Sequence, residues 1–443
     1  MKKLSNNFLK RNNPPQSTLL MMHFDSLKGW LDWQESLHPL AIDLGLERVA
    51  QVFHALNPEG QKPITITVAG TNGKGSCIAY LEAIYRAQGY RVGAYSSPHI
   101  LKYNERIKID GLPVSDELIC EAFARIESVR GDTSLSYFEF GTLAALDIFR
   151  RSGLDVQLLE VGLGGRLDAV NIVDPNVSLI SSIGIDHVDW LGNTREKIGR
   201  EKAGIFRAKT PAVIGDCDPP ESLLQTAIDK EARLYCIGKD FGFKKYATNW
   251  DWFAGKRQIC QLPEPGLKGE HQYRNASSAI LAVELLSKSL PVSDGSIRTG
   301  LKNSYLLGRF QLINDKIPIL LDVGHNPEAV KTLVDYLNMT FPGKRIHTIF
   351  SMMKDKDIAS VLEIMNPVVY DWYFAPLANP RAATEPFMRE IFSQSTVTRV
   401  SFGFTGFAEA FNKAKNQSQE NDLLLVFGSF FLVSDCLNEF EIR

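Results

Sequence analysis

Apolar positions recur at helical spacing in residues 27–37 (LKGWLDWQESL) and 44–56 (LGLERVAQVFHAL). The pattern then changes to short, unbroken apolar runs separated by amphipathic stretches. ITITVAG (64–70) predicts a buried strand, followed by a glycine-rich turn and a helix through SCIAYLEAIYRAQG. YRVGAYSS (90–97), DVQLLEVG (155–162), NVSLISSIG (176–184) and AVIGD (212–216) predict further strands. SYFEFGTLAALDIFRRSG (136–153), TREKIGREKAGIF (194–206) and QYRNASSAILAVELLSKS (272–289) predict helices. Strands apolar on both faces and alternating with helices imply a parallel sheet covered on both sides.

A second alternating set begins after residue 310. PILLDVG (318–324) predicts a strand and PEAVKTLVDYLNM (327–339) a helix, with Asn326 as its N-cap and Pro327 at its first position. RIHTIFSMM, the helix 357–365, VVYDWYFAPL, TEPFMREIF, VTRVSF, FAEAFNKAK and LLLVFGSF continue the rhythm. The polar run KNQSQEND (415–422) reads as a loop. The expected fold is α/β: a large, mostly parallel sheet domain over 22–304, a linker at 305–309, and a smaller α/β domain over 310–443. A cleft between two such domains is the natural place for a ligand.

Composition narrows the picture only a little. With 443 residues, 44 % apolar and 23 % charged, the chain reads as an ordinary soluble protein large enough for two domains. A formal net charge of −2 gives no field to attract nucleic acid or an anionic membrane, so the expected partners are small molecules. Six cysteines (77, 120, 217, 236, 260 and 436) show no metal-type spacing and read as reduced, mostly buried thiols of a cytoplasmic protein. No run is long and apolar enough to predict a membrane span. Residues 1–21 are basic and polar and read as a disordered extension, with Met1, Met21 and Met22 as alternative starts.

The chemistry starts at VAGTNGKGS (68–76), where a strand ends and a helix begins. Gly70, Gly73 and Gly75 allow close backbone approach, Lys74 can reach outer phosphates, and the Ser76 hydroxyl can face Mg²⁺. In the common phosphate loop the lysine directly precedes the hydroxyl residue. Gly75 intervenes here, so the loop is of another build. Glu160, Ser97 and His187 each follow an apolar strand, so all three are expected at the carboxyl edge of the same sheet. Glu160 stands where a metal-organising carboxylate belongs, while a histidine is an unusual neighbour for oxygen-seeking Mg²⁺. Lys197, Arg200 and Lys202 share one predicted helix and would, by themselves, read as a solvated basic face.

Taken together, VAGTNGKGS, SSPH (96–99), YNERI (103–107), YFEFGTLAAL (137–146), EVGLGGRLDAVN (160–171), DHVDWLG (186–192), REKAGI (200–205), HQYRNASSA (271–279), GRFQ (308–311), DVGHNP (322–327) and IDLGLERV (42–49) resemble the dihydrofolate synthase/folylpolyglutamate synthase family, relatives of the Mur ligases. The Lys-Gly-Ser spacing is that family's own form of the loop. The resemblance implies a P-loop-type ATP domain and a Rossmann-like glutamate-ligase domain. It implies that Gly70, Thr71, Asn72, Gly73, Lys74, Gly75 and Ser76 hold the ATP phosphates, and that Asn275, Arg309, Asp322 and His325 reach the nucleotide. Ser76, Ser97, Glu160 and His187 would arrange magnesium ions, joined by Lys202 if it is carbamylated. Lys74, Glu160, His187, Lys202 and His325 would be the catalytic set, and Phe138 would line the pterin pocket. A monovalent cation such as K⁺ belongs to the same implied set.

The implied reaction is ATP-dependent addition of L-glutamate to dihydropteroate, and to tetrahydrofolates and their polyglutamates, by a monomer. A polyglutamate-extending enzyme alone is one alternative. A Mur-type peptide ligase is another, but it calls for a uridine-binding domain, and only short helices precede the loop in this sequence. A nucleotide-driven switch or motor would hydrolyse ATP without glutamate, and a non-catalytic folate binder would have no use for the full set of expected metal ligands.

Overall fold

The computed structural model describes residues 24–40, 42–57 and 60–440. The expected extension and the alternative starts lie outside these residues. The strands of the first sheet are β1 (Ile64–Ala69), β2 (Val92–Tyr95), β3 (Ile107–Ile109), β4 (Leu112–Pro113), β5 (Val156–Glu160), β6 (Val177–Ile180), β7 (Pro211–Ile214) and β8 (Arg233–Cys236). They run in the order β4-β3-β2-β5-β1-β6-β7-β8. From β2 through β5, β1, β6 and β7 to β8 the pairings are parallel, while at the edge β3 pairs antiparallel with both β2 and β4. Both faces are covered, as apolar-on-both-sides strands require. One face packs under helices Leu27–Leu37, Glu47–Leu56, Asp116–Arg130 and Tyr137–Arg151, the other under Lys74–Gln88, His271–Leu285 and Asp294–Asn303.

A three-stranded antiparallel meander, β9 (Phe241–Lys245), β10 (Trp250–Ala254) and β11 (Arg257–Leu262), separates β8 from the helix His271–Leu285. The periodicity reading does not include it. Its signal is aromatic alternation: Trp250 and Trp252 are buried while Phe253 faces out. The second sheet contains β12 (Gln311–Ile313), β13 (Ile319–Asp322), β14 (Ile346–Phe350), β15 (Asp371–Phe374), β16 (Val400–Ser401) and β17 (Leu423–Phe427), ordered β12-β13-β17-β14-β15-β16. It is parallel except for β12, and apolar clusters lie on both faces.

Several local expectations need correction. The predicted helix 194–206 ends at Lys202 and tightens into a 3₁₀ turn, Ala203–Ile205. There a Cβ on Gly204 would lie 2.3 Å from Arg166 Cα, so the chain turns where only glycine fits. The polar run at 415–422 is a loop only in its second part, because the helix Phe407–Gln417 takes up its start. VTRVSF contributes only the two-residue β16. All six cysteines are free, but only Cys77 and Cys436 are buried, while Cys217 and Cys260 are exposed. Among the described residues no helix is long and apolar enough to cross a membrane.

Candidate active site

A cavity of about 790 Å³ opens where the carboxyl edges of the two sheets face one another. Its floor is the turn after β1. Gly70 has φ +148, and a Cβ there would lie 1.9 Å from Ser181 Oγ. Gly73 has φ +89, and a Cβ there would meet Asn275 Oδ1 at 2.7 Å. Only glycine fits these positions, and the turn delivers the N-terminus of helix Lys74–Gln88 with no side chain capping it. Uncapped N–H groups at the positive end of a helix form an anion cradle. Lys74 Nζ bends back onto the Gly70 and Thr71 carbonyls at 3.0 and 3.2 Å. Burial lowers its pKa, and the Glu160 charge works against that shift.

Around this loop the structure gathers most of the expected ligands. Glu160, at the end of β5, accepts from Ser97 N at 3.4 Å, and burial raises the pKa of its carboxyl. Ser76 is buried and accepts from Gln272 Nε2 at 3.2 Å. Lys202 is 5 % exposed and donates to the Gly70 carbonyl at 2.9 Å. Burial, and then the Lys74 charge, push its pKa down to about 7. His187 follows β6 in a left-handed conformation, φ 53, and burial lowers it to about 4, leaving a neutral ring that can serve as a ligand. Oxygen donors from Glu160, Ser76 and Ser97 fit a hard divalent cation, and the uncapped loop fits its phosphate partners.

The C-terminal sheet closes the cavity. His325 Nδ1–H donates to the Val323 carbonyl at 2.8 Å, which turns Nε2 toward Asp186 Oδ2 at 3.5 Å. Asn326 Nδ2 donates to Asn72 Oδ1 at 3.0 Å and to Asp186 Oδ2 at 3.3 Å. Asn72 Nδ2 in turn donates to Glu328 Oε2 at 2.9 Å. Lys356 Nζ reaches Asp186 Oδ1 at 2.5 Å. Burial alone would raise the Asp186 pKa, but His325, His187 and Lys356 together hold this carboxyl well below the usual range. Arg309 is half-buried, its charge favoured by those of Asp322 and Glu160, and lies over the Phe430 ring at 5.1 Å. Asp322 accepts from Gly324 N at 2.7 Å and Phe310 N at 3.3 Å, which shapes the turn that carries His325.

At the far end, Phe138 lies over Gly162, where a Cβ would approach its ring to 2.6 Å. Opposite stands the segment 42–45. Arg48 fixes it by pairing with Asp43 at 2.6 Å and with Glu139 at 3.0 Å, while His38 Nε2 approaches Asp43 Oδ2 at 3.0 Å. Every site residue proposed from the sequence thus lines this cavity. Asp186, Lys356 and Arg381, which also line it, were not singled out from the sequence. Asp186 sits inside the recognised DHVDWLG run. Lys356 and Arg381 lie in ordinary charged stretches, SMMKDKD and ANPRAA, with no spacing signal.

Comparison with known proteins agrees with this geometry. Residues 68–283 match the Mur ligase middle domain and residues 308–430 the Mur ligase glutamate ligase domain. The chain is 41 % identical to the dihydrofolate synthase/folylpolyglutamate synthase of Escherichia coli, over 94 % of this chain and 96 % of that one. It is 38 % identical to its counterpart in Haemophilus influenzae, over 92 % and 96 %. An E. coli FolC structure in complex with DHPP and ADP superposes with a TM-score of 0.89 at 40 % identity, covering 95 % of this chain and 98 % of that one. A Yersinia pestis bifunctional synthase complexed with AMPPNP and Mn ion gives 0.87 at 42 % identity, covering 97 % and 100 %. With matching domains, near-complete coverage and one shared fold, this chain belongs to the dihydrofolate synthase/folylpolyglutamate synthase family of Mur-type ligases.

Proposed function

We propose that this protein joins L-glutamate to dihydropteroate, and to the glutamate tail of tetrahydrofolates, at the expense of ATP. The observation that carries the reading is the cavity itself: an uncapped phosphate loop on one wall faces Lys356 and Arg381 on the other. A carboxylate is a poor electrophile, so amide formation in water needs activation. The substrate carboxylate attacks the γ-phosphorus of ATP, ADP leaves, and an acyl phosphate forms. The amine of glutamate then attacks the acyl carbon, and phosphate leaves.

The loop N–H groups and Lys74 bind the phosphates and stabilise the charge that builds between them. In this reading Gly70 to Ser76 hold the phosphates, Asn275 and Arg309 reach the nucleotide, and Asp322 and His325 shape its far side. Ser76, Ser97, Glu160 and His187 would hold the divalent cation, which supplies further neutralisation of the phosphoryl oxygens when bound. Lys356, which pairs with Asp186, and Arg381, which pairs with Asp355 at 3.1 Å, keep further N–H donors for the two carboxylates of glutamate. Phe138, with the segment 42–45 facing it, takes the pterin end. The bonds from Asn326, Glu328 and Lys356 to Asn72 and Asp186 join the walls, so closure completes the site and keeps water from the acyl phosphate.

Lys202 is proposed to carry a carbamate. An amine whose pKa is pushed down to about 7 is substantially neutral near pH 7.5 and able to add CO₂, releasing one proton. The carbamate keeps one N–H on Nζ, enough for the Gly70 bond, and turns a cation beside Lys74 into an anion. K⁺ enters the proposal through the resemblance alone, and activity titrated with KCl tests it. Residues 22–304, 305–309 and 310–443 are read as ATP domain, linker and glutamate-ligase domain of a cytoplasmic monomer. The mechanism is tested by ¹⁸O in the dihydropteroate carboxylate: label in the released phosphate supports acyl phosphate formation, and label retained entirely in the amide product and unreacted acid refutes it.

A further inference from the structure

The run YNERI (103–107) folds into a tightly held turn. Glu105 accepts from Ile100 N, Leu101 N and Lys102 N at 2.8, 2.8 and 2.7 Å, which fixes the chain entering the 3₁₀ turn Tyr103–Arg106. Asn104 Nδ2 donates to the Val114 carbonyl and to Asp116 Oδ1, both at 2.8 Å. Ser96 N donates to the Arg106 carbonyl at 2.9 Å and ties the turn to the end of β2. Of the five residues only Arg106 lines the main cavity.

Three rings set the position of its guanidinium. Nε–H donates to His99 Nδ1 at 2.9 Å, and the Tyr103 and Tyr137 rings lie 5.5 and 5.6 Å from the guanidinium carbon. His99 follows Ser97 by two residues and Tyr137 directly precedes Phe138, so this cation stands between the cation end of the cavity and its pterin end. Burial raises the Glu160 pKa, and Arg106 is among the charges that oppose the shift. Among the described residues no acid pairs with Arg106. Asp43 and Glu139 pair with Arg48, and Asp168 accepts from Leu163 N and Val170 N at 2.8 and 3.0 Å. Glu160 accepts from Ser97 N, and Glu35 is exposed at the rim. Both Nη groups are thus left without an acceptor among the described residues.

A guanidinium fork held at one edge and open at the other takes a carboxylate through two parallel N–H···O bonds. Resting on the ligase reading above, the substrate supplies one. A folate tail ends in a glutamate whose γ-carboxylate attacks ATP and whose α-carboxylate does not react. The two are separated by the same short chain however long the tail is. A cation fixed near the reacting end can therefore hold the α-carboxylate at every round of extension. Dihydropteroate has no such group, because its one carboxylate is the one that reacts. We propose that Arg106 binds the α-carboxylate of the terminal glutamate and so positions glutamylated substrates, but not dihydropteroate, for attack.

The test is a cycle of two enzymes and two substrates. Wild type and Arg106→Gln are assayed on tetrahydrofolate and on its analogue with 4-aminobutyrate in place of glutamate, which keeps the reacting carboxylate and lacks the α-carboxylate. In the wild type kcat/KM for the analogue is expected roughly 10- to 100-fold below that for tetrahydrofolate, as loss of a charged hydrogen-bonded pair implies. In Arg106→Gln the two substrates should agree within about twofold. Arg106→Lys, the milder change, should keep part of the difference and carries the cycle if Arg106→Gln does not fold. A preference for tetrahydrofolate that is the same in wild type and variant overturns the proposal. So does a variant that loses dihydropteroate and tetrahydrofolate in equal measure, or a wild type active on dihydropteroate alone. A wild type that uses neither dihydropteroate nor tetrahydrofolate overturns the ligase reading instead.

Discussion

The two walls of the cavity are built by different means. On the N-terminal wall the chemistry is contiguous: Gly70 to Ser76 form one turn, and β1, β5 and β6 lie side by side, so Lys74, Glu160 and His187 arrive together at one sheet edge. On the C-terminal wall it is assembled from scattered positions. His325 follows β13, Lys356 follows β14, Arg381 follows β15 and Ser429 follows β17, and His325, Asn326 and Lys356 meet the first wall through Asp186 and Asn72. A wall made of one turn binds by geometry set within the chain. A wall made of several loops binds only when the two domains are in register. Nucleotide cradling should therefore depend on the first wall, and coupling to glutamate on the second.

The largest effect is expected from the first wall. Lys74→Met should lower kcat by about 10²–10³, the usual loss when one preorganised charge on a phosphoryl group is removed. A fall confined to the KM for glutamate would erase the distinction between the walls. Next, Lys356→Met should raise the KM for glutamate roughly 10- to 100-fold, from loss of a charged hydrogen-bonding partner, while ATP binding measured by calorimetry stays near wild type. Equal losses for ATP and glutamate would mean that the second wall is not separate.

Lys202 gives a pH test of the first wall. Its pKa is about 7 when folded and 10.5 when exposed, so between these values the unfolded chain binds more protons. The stability of the unmodified protein therefore rises with pH across this window. The penalty is present in full below pH 7 and gone above pH 10.5. In CO₂-depleted, metal-free buffer, Lys202→Met should be more stable than wild type at pH 6.5, by a few kcal/mol in order of magnitude, with the gap closing toward pH 10. A gap independent of pH in urea melts would refute burial of the free amine. The smallest effect belongs to the pterin end. Arg48→Ala frees the segment 42–45 and should raise the KM for dihydropteroate several-fold with the KM for ATP unchanged.

The same division explains what the sequence made legible. The strand–loop–helix order around VAGTNGKGS exposes the phosphate cradle directly, because its glycines, lysine and serine are neighbours in the chain. Glu160 and His187 are readable because each ends an apolar strand, and parallel strands bring their carboxyl ends to one edge. Lys356 and Arg381 carry no such signal; only the order β13-β17-β14-β15 of the second sheet turns their loops toward the cavity. Burial of Lys202 is equally silent in a helix whose other cations face solvent. The meander β9–β11 falls outside the strand–helix rhythm, because its aromatic alternation packs it beside the helix His271–Leu285 as a separate small sheet.

The central claim is that ATP cleavage at the first wall is coupled to glutamate at the second. It is tested most directly by measuring phosphate release from ATP with dihydropteroate, with and without L-glutamate. Sustained release that needs both substrates and matches dihydrofolate formed mole for mole is the predicted result. Steady release indifferent to dihydropteroate and glutamate would contradict it.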